Sequence, residues 1–181
     1  PNHPPPRPGS RPHTHPERPP RATPDLAAPG RASVAHLAAR GHRKTPLIGE
    51  SEGVSRRHTG CAARPMAGFQ RRAAERGLRA VHRTCEGTYE STAGVLARIL
   101  EERPGTTGFV VQNEAAIAPL LSLLRLSGRA VPEDTSVVAI CPDQVALQSS
   151  PRLTSVSIPA EAMGRAAVRQ VVAQLDRSVD H

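Results

Sequence analysis

Short apolar runs alternate with longer amphipathic segments along residues 31–181, and this alternation restricts the fold more than any other feature of the sequence. Apolar runs predict strands, whereas segments with an apolar residue every three or four positions predict helices. Strands are predicted at 44–49, 79–85, 107–112, 135–141 and 154–158. Helices are predicted at 34–40, 65–77, 91–103, 114–127 and 161–175, with a loop over 50–63. The alternation predicts an α/β fold in which helices flank a mainly parallel sheet.

The carboxyl ends of the predicted strands are the place to search for function, because open parallel sheets bind their ligands at that edge. These ends fall at Gly49, Cys85, Gln112–Asn113 and Cys141. Polar side chains that follow the strands are therefore the first candidates for contacts with a ligand.

The first 30 residues differ in composition from the rest of the chain. They hold most of the 19 prolines and almost no aliphatic side chains. Such a segment cannot bury enough apolar surface to offset the loss of conformational entropy on folding. The sequence therefore predicts a disordered tail over 1–30 and one domain over 31–181.

Charge and cysteine usage exclude several classes of site. The formal net charge is +8, but its arginines are spread over the tail, the loops and the helix faces, which is typical of solvated surface. The cysteines, Cys61, Cys85 and Cys141, form no CxxC pair, so neither a metal site nor a disulfide framework is expected. We expect no cofactor and, without catalytic spacing or a phosphate-binding glycine loop, no enzyme. The absence of a long apolar run or a signal-peptide core predicts no membrane association and a cytoplasmic location.

Four segments in order carry a resemblance to a known family. They are AHLAARGHRKTPLIG (35–49), GFQRRAAERGL (68–78), TGFVVQNEAAIAPLLSLLRLSGRAVPEDTSVVAI (107–140) and SPRLTSVSIPAEAMGRAAV (150–168). Together they resemble the LacI/GalR (lactose-repressor-type) transcription regulators. The resemblance implies one lobe of a periplasmic-binding-protein-like type I fold, with a small, sugar-like effector bound between two lobes.

The resemblance also implies partners. Family members dimerise and couple effector binding to DNA affinity, so a homodimer is a possible state of this chain. The DNA-reading headpiece and the first lobe have no counterpart in these residues. The chain is therefore interpreted as a truncated ligand-sensing subdomain that contacts DNA only through a headpiece absent from it.

The resemblance points to a ligand site at two strand ends. Asn113 and Glu114 occupy the family's Asn-acidic pair, although Asn113 could equally cap the following helix. Cys141 occupies the position of a family acid, and an acid follows two residues later as Asp143. All four are predicted to bind ligand.

Two further residues, Arg64 and His42, are interpreted separately. The family's cleft arginine corresponds to Pro65, so Arg64, one place away, is the remaining candidate for that ligand contact. His42, between Gly41 and Arg43, is interpreted as a structural turn residue and not as a catalytic base.

Three alternatives remain open from the sequence. The chain could be a truncated product without independent function, a periplasmic-type sugar-binding protein, or a nucleic-acid binder that uses the Arg/Pro-rich tail.

Overall fold

The computed structural model of the chain describes residues 25–57, 60–158 and 160–179, without the side chains of 61 and 176–179. Most of the predicted tail, residues 1–24, lies outside this part, so its disorder stays a prediction. The predicted boundary at residue 30 is too late, because a helix already begins at Ala28. Leu26 is buried ahead of this helix, and Asp25 forms an ion pair with Arg31.

A five-stranded sheet, parallel throughout, forms the centre of the domain. Its strands are β1 Lys44–Gly49, β2 Arg79–Thr84, β3 Gly108–Val111, β4 Ser136–Ala139 and β5 Thr154–Ser155. Their order across the sheet is β2-β1-β3-β4-β5. The predicted α/β fold is confirmed, although only two residues of the predicted strand 154–158 pair with the sheet.

The helices are α1 Ala28–Ala39, α2 Glu52–Arg56, α3 Gly60–Glu75, α4 Tyr89–Glu102, α5 Ile117–Leu126, α6 Asp143–Gln148 and α7 Ala160–Val179. A 3-10 turn over Glu114–Ala116 precedes α5. The prediction of a loop over 50–63 is wrong, since α2 and the start of α3 occupy much of it. The Ser51 hydroxyl accepts a hydrogen bond from the Val54 amide and so caps α2, and α3 continues through Pro65. The short helix α6 was also not predicted.

Both faces of the sheet are covered, so its strands alternate between two apolar cores. Residues such as Ile48, Phe109 and Val137 pack against the side of α4 and α5. Their neighbours Leu47, Val110 and Val138 pack against the side of α1 and α3. This two-sided burial explains why these strands appear in the sequence as continuous apolar runs.

Two glycines allow α1 and α3 to touch backbone to backbone. A Cβ added at Gly30 would lie 1.9 Å from the carbonyl oxygen of Pro65. A Cβ added at Gly68 would lie 2.1 Å from the carbonyl oxygen of Ala27. No real side chain fits at either distance, so the helix crossing requires glycine on both sides.

The turn residues at the amino-terminal edge of the sheet behave as the sequence predicts. Nδ1 of His42 lies 2.8 Å from the Thr107 hydroxyl, and this bond holds the turn before β1 to the start of β3. Partial burial lowers the pKa of His42. The structural interpretation of His42 is confirmed, and Gly128 ends α5 in the left-handed conformation, at a φ of +71°.

The helix α7 leaves a stripe of apolar side chains in contact with solvent. Val168, Val171, Val172 and Leu175 are between 50% and 63% exposed. Within the described residues, no helix combines the length and the hydropathy needed to cross a membrane.

Candidate functional site

A pocket of about 320 Å³ lies at the carboxyl ends of β1, β3 and β4. Ile140, Cys141 and Ile158 give it an apolar surface, and Gln112 adds a buried amide. Two carboxylates, Glu50 and Glu114, line it as well. The pocket therefore combines an apolar surface with hydrogen-bond acceptors, as small-molecule sites commonly do.

The structure brings two of the predicted ligand residues, Glu114 and Cys141, to this pocket. Glu114 is exposed and begins the 3-10 turn, whereas Cys141 is only 2% exposed. Burial, followed by the charges of Glu114 and Asp143, raises the pKa of the Cys141 thiol. The thiol therefore stays protonated at neutral pH, as expected for a small buried residue without nucleophilic reactivity.

Asp143 lies beside the pocket at the start of α6 and is not among the residues that line it. Its Oδ1 accepts a hydrogen bond of 2.7 Å from the Ser155 hydroxyl. This bond ties the start of α6 to β5, while the rest of the exposed carboxylate can accept further hydrogen bonds.

Asn113 uses its side chain to hold the fold together. Its Nδ2 donates to the carbonyl oxygen of Cys85 at 2.6 Å, and its Oδ1 accepts from the Ala115 amide at 3.1 Å. The residue is 6% exposed and does not line the pocket. The capping interpretation is confirmed, and ligand contact by Asn113 stays a prediction.

Arg64 lies on an exposed part of α3, outside the pocket. A Cβ added at Gly60 would lie 3.7 Å from its Nε, so the side chain extends back along the helix towards Gly60. Pro65, at the position of the family's arginine, is buried towards α1. Ligand contact by Arg64 therefore stays a prediction that this side-chain position does not support.

The sequence interpretation missed Glu50, which immediately follows β1 and is only partly exposed. Burial and the charge of Glu114 raise the pKa of its carboxyl group. An acid directly after an apolar strand was the available signal. Its importance depended on a sheet order that places β1 next to β3, although 58 residues separate the two strands.

Gln112 is the second missed residue, and it connects the pocket to α3. The side chain is 6% exposed, and its Nε2 donates to the carbonyl oxygen of Ala62 at 3.0 Å. This bond fixes the wall of the pocket formed by the first turns of α3. In the part of the chain that the structure describes, no group of three or more His, Cys, Asp or Glu side chains is arranged to hold a metal ion.

A second concave surface, the α5–α6 groove, adjoins this pocket at Glu114. Two adjoining depressions share Ala118, Gln148 and Ser149 and have volumes of about 540 and 590 Å³. Arg125 and Arg129 line one depression, and Glu114 lines the other. The groove is therefore basic at one end and acidic at the other.

Comparison with known proteins places the fold in a family. Residues 34–181 match the periplasmic binding protein-like domain family. The regulator CelR of Thermobifida fusca is 35% identical over 85 residues, which are 47% of this chain and 25% of that protein. The chain spans less than half the length of the curated relatives that it matches.

Solved structures agree with the sequence matches. A complex of CelR with cellobiose superposes with a TM-score of 0.73 at 25% identity, over 85% of this chain and 46% of that one. A LacI family regulator from an Arthrobacter species, in complex with lactose, superposes with a TM-score of 0.69 at 26% identity, over 85% and 56% of the two chains. These relatives are transcriptional regulators. The chain thus belongs to the periplasmic binding protein-like domain family, and it corresponds to the C-terminal sensor part of LacI-type transcriptional regulators.

Proposed function

We propose that the chain is the ligand-sensing lobe of a LacI-type regulator that controls transcription in response to a sugar. The observation that carries this proposal is the pocket at the strand ends, which combines two carboxylate acceptors, Glu50 and Glu114, with an apolar surface. The relatives solved with cellobiose and with lactose support a sugar as the effector. A regulator of transcription acts where the DNA is, and the expected cytoplasmic location follows from this function.

We assign the effector contacts to the strand ends. Glu114 and Asp143 offer carboxylate oxygens to sugar hydroxyl groups, and the Cys141 surface offers an apolar contact to a ring face. Direct contacts from Asn113 and Arg64 belong to the same hypothesis, although the other hydrogen bonds of Asn113 make it chiefly a positioning residue. One lobe encloses only part of a ligand, so binding to this chain is expected to be weak.

A titration of the ¹⁵N-labelled chain with cellobiose and with lactose, followed by amide chemical shifts, tests the proposal. We expect shifts at Glu50, at 112–114 and at 140–143, and we expect them to decrease in Glu114→Gln. Glu133→Gln is the matched control, because Glu133 is exposed in the turn before β4 and does not line the pocket. Shifts confined to another surface, or no shifts at all, would contradict the proposal.

We also infer that the chain associates with a second copy through the α5–α6 groove. An antiparallel pairing about a twofold axis at Ala118, Gln148 and Ser149, which the two depressions share, places the grooves of the two copies against each other. Ala118→Arg places a charge at this axis and should reduce association. Ala97→Arg, on an exposed position of α4, is the control. Sedimentation velocity would contradict the pairing if both variants associated as the parent chain does.

A further inference from the structure

We propose that the pocket selects its effector by charge, favouring neutral or amine-bearing sugars over sugars that carry a carboxylate or phosphate group. The inference rests on the proposed sugar-sensing function and names the class of sugar accepted. It starts from a regularity along the sheet: an acid follows each of the first four strands within four residues. These acids are Glu50 after β1, Glu86 after β2, Glu114 after β3 and Asp143 after β4.

These four acids lack the arginine partners that several other acids of the chain have. Glu52, Glu75, Glu102 and Glu161 each form an ion pair with an arginine. Among the described residues, none of the strand-end acids forms an ion pair. The formal net charge is +8, so the unpaired acids at this edge contrast with the charge balance of the whole chain.

No described residue with a positive charge lines the pocket. Arg56 in the neighbouring helix is held by Glu52, and Nε of Arg57 donates to the Gly53 carbonyl oxygen. Arg64 extends along α3 outside the pocket. An anionic ligand would thus lose hydration without gaining a cationic partner, which is unfavourable.

The mutual influence of the carboxylates supports the same conclusion. Glu50 and Glu114 line one pocket, and the charge of Glu114 contributes to the raised pKa of Glu50. A ligand ammonium group would relieve this repulsion and form charge-assisted hydrogen bonds, which are stronger than neutral ones. A metal ion is the alternative cation, but the described acids are not grouped to ligate one.

Three monosaccharides of one scaffold test the inference: glucose, glucosamine and glucuronate. Each is titrated into the full ¹⁵N-labelled chain at neutral pH and low ionic strength, and Kd is taken from the amide shifts at the strand ends. We expect glucuronate to bind at least about tenfold more weakly than glucosamine, a ratio equivalent to about 1.4 kcal/mol. The ratio should fall when salt is added, because Glu86, Glu114 and Asp143 are exposed to solvent.

Isosteric variants assign the selectivity to particular residues. Glu50→Gln and Glu114→Gln should each bring the three Kd values closer together, whereas Glu133→Gln should leave their ratio unchanged. Dispersed amide spectra verify that each variant is folded. Glucuronate binding as tightly as glucosamine would overturn the inference and leave the sugar-sensing function intact. If none of the three sugars shifted the strand-end amides, the proposed function and the inference would both fail.

Discussion

The helix crossing between α1 and α3 gives a sharp prediction about a single methyl group. Gly68→Ala should destabilise the domain, because the new Cβ would lie 2.1 Å from the carbonyl oxygen of Ala27 and 2.9 Å from its carbonyl carbon. The obstacle is backbone, so it cannot move aside by a change of rotamer. Gly94 in α4 is the matched control, because a Cβ there would meet no atom within 4 Å.

The structure sets the size of the effect. A carbon–oxygen contact needs about 3.3 Å, so the helices must separate locally by about 1.2 Å. Overpacking of this kind costs about 1–3 kcal/mol. Replacing glycine by alanine in a helix interior stabilises the fold by about 0.5–1 kcal/mol, and at Gly94 this gain is the whole effect. We therefore expect the two variants to differ by roughly 1–3 kcal/mol, with Gly94→Ala the more stable of them.

Urea unfolding followed by far-ultraviolet circular dichroism measures this difference. For a domain of this size, each kcal/mol shifts the melting temperature by about 2–4 °C, so the two variants are also separable by heating. The m-value should stay constant, since the surface exposed on unfolding hardly changes. If Gly68→Ala unfolded at the same urea concentration as Gly94→Ala, the backbone contact would not restrict this position and the reasoning would be refuted.

Three further predictions concern the strand ends and the pH response. Asn113→Ala should lower the free energy of unfolding by about 2–4 kcal/mol, because the Cys85 carbonyl loses its partner and the Ala115 amide its cap. Asn113→Ser keeps a capping oxygen, so urea unfolding should show a loss about 1 kcal/mol smaller than that of Asn113→Ala. Equal losses in the two variants would show that the cap at Ala115 contributes nothing to stability. The pKa of His42 is lowered in the folded state, so between pH 6.5 and that lowered pKa only the unfolded chain binds the proton. The free energy of unfolding should therefore fall as the pH drops through this range. The urea midpoint should decrease between pH 7 and pH 5, and this decrease should be smaller in His42→Gln. Glu50 has a raised pKa, so the stability linked to its proton is fully present below 4.5 and is lost as the pH rises through the folded pKa. Glu50→Gln should therefore raise the urea midpoint at pH 7 relative to the parent chain but not at pH 4, and an equal gain at both values would contradict this cause.

The sequence predicted the central strands β1, β3 and β4 well because they are buried on both faces of the sheet. The predicted bounds of β1, 44–49, agree with the structure, and β2 ends one residue earlier than predicted. Local composition misled the interpretation where a short helix lacks an apolar stripe. Residues 52–56 carry Gly, Ser and Arg, yet the Ser51 cap and the ion pair between Glu52 and Arg56 stabilise a helix there.

The candidate site was predictable only in part, because its residues belong to different strands. Glu114 and Cys141 were found through the ordered family motifs. Glu50 was missed because β1 lies next to β3 in the sheet although β2 comes between them in the sequence. The orientation of Arg64 depends on the rotation of α3 about its axis, which the sequence left undetermined because the predicted helix began five residues too late.

The two hydrogen bonds of Asn113 also bear on how this lobe responds to a ligand. The bond to the Cys85 carbonyl connects the loop after β2 to the turn after β3, and the bond from the Ala115 amide fixes that turn, so these two segments are ordered before any ligand arrives. A molecule that binds there meets groups whose conformational freedom was already lost on folding, and its own binding carries little of that entropic penalty. We therefore expect a signal from this edge to travel as a displacement of the whole lobe, with little change in its internal structure.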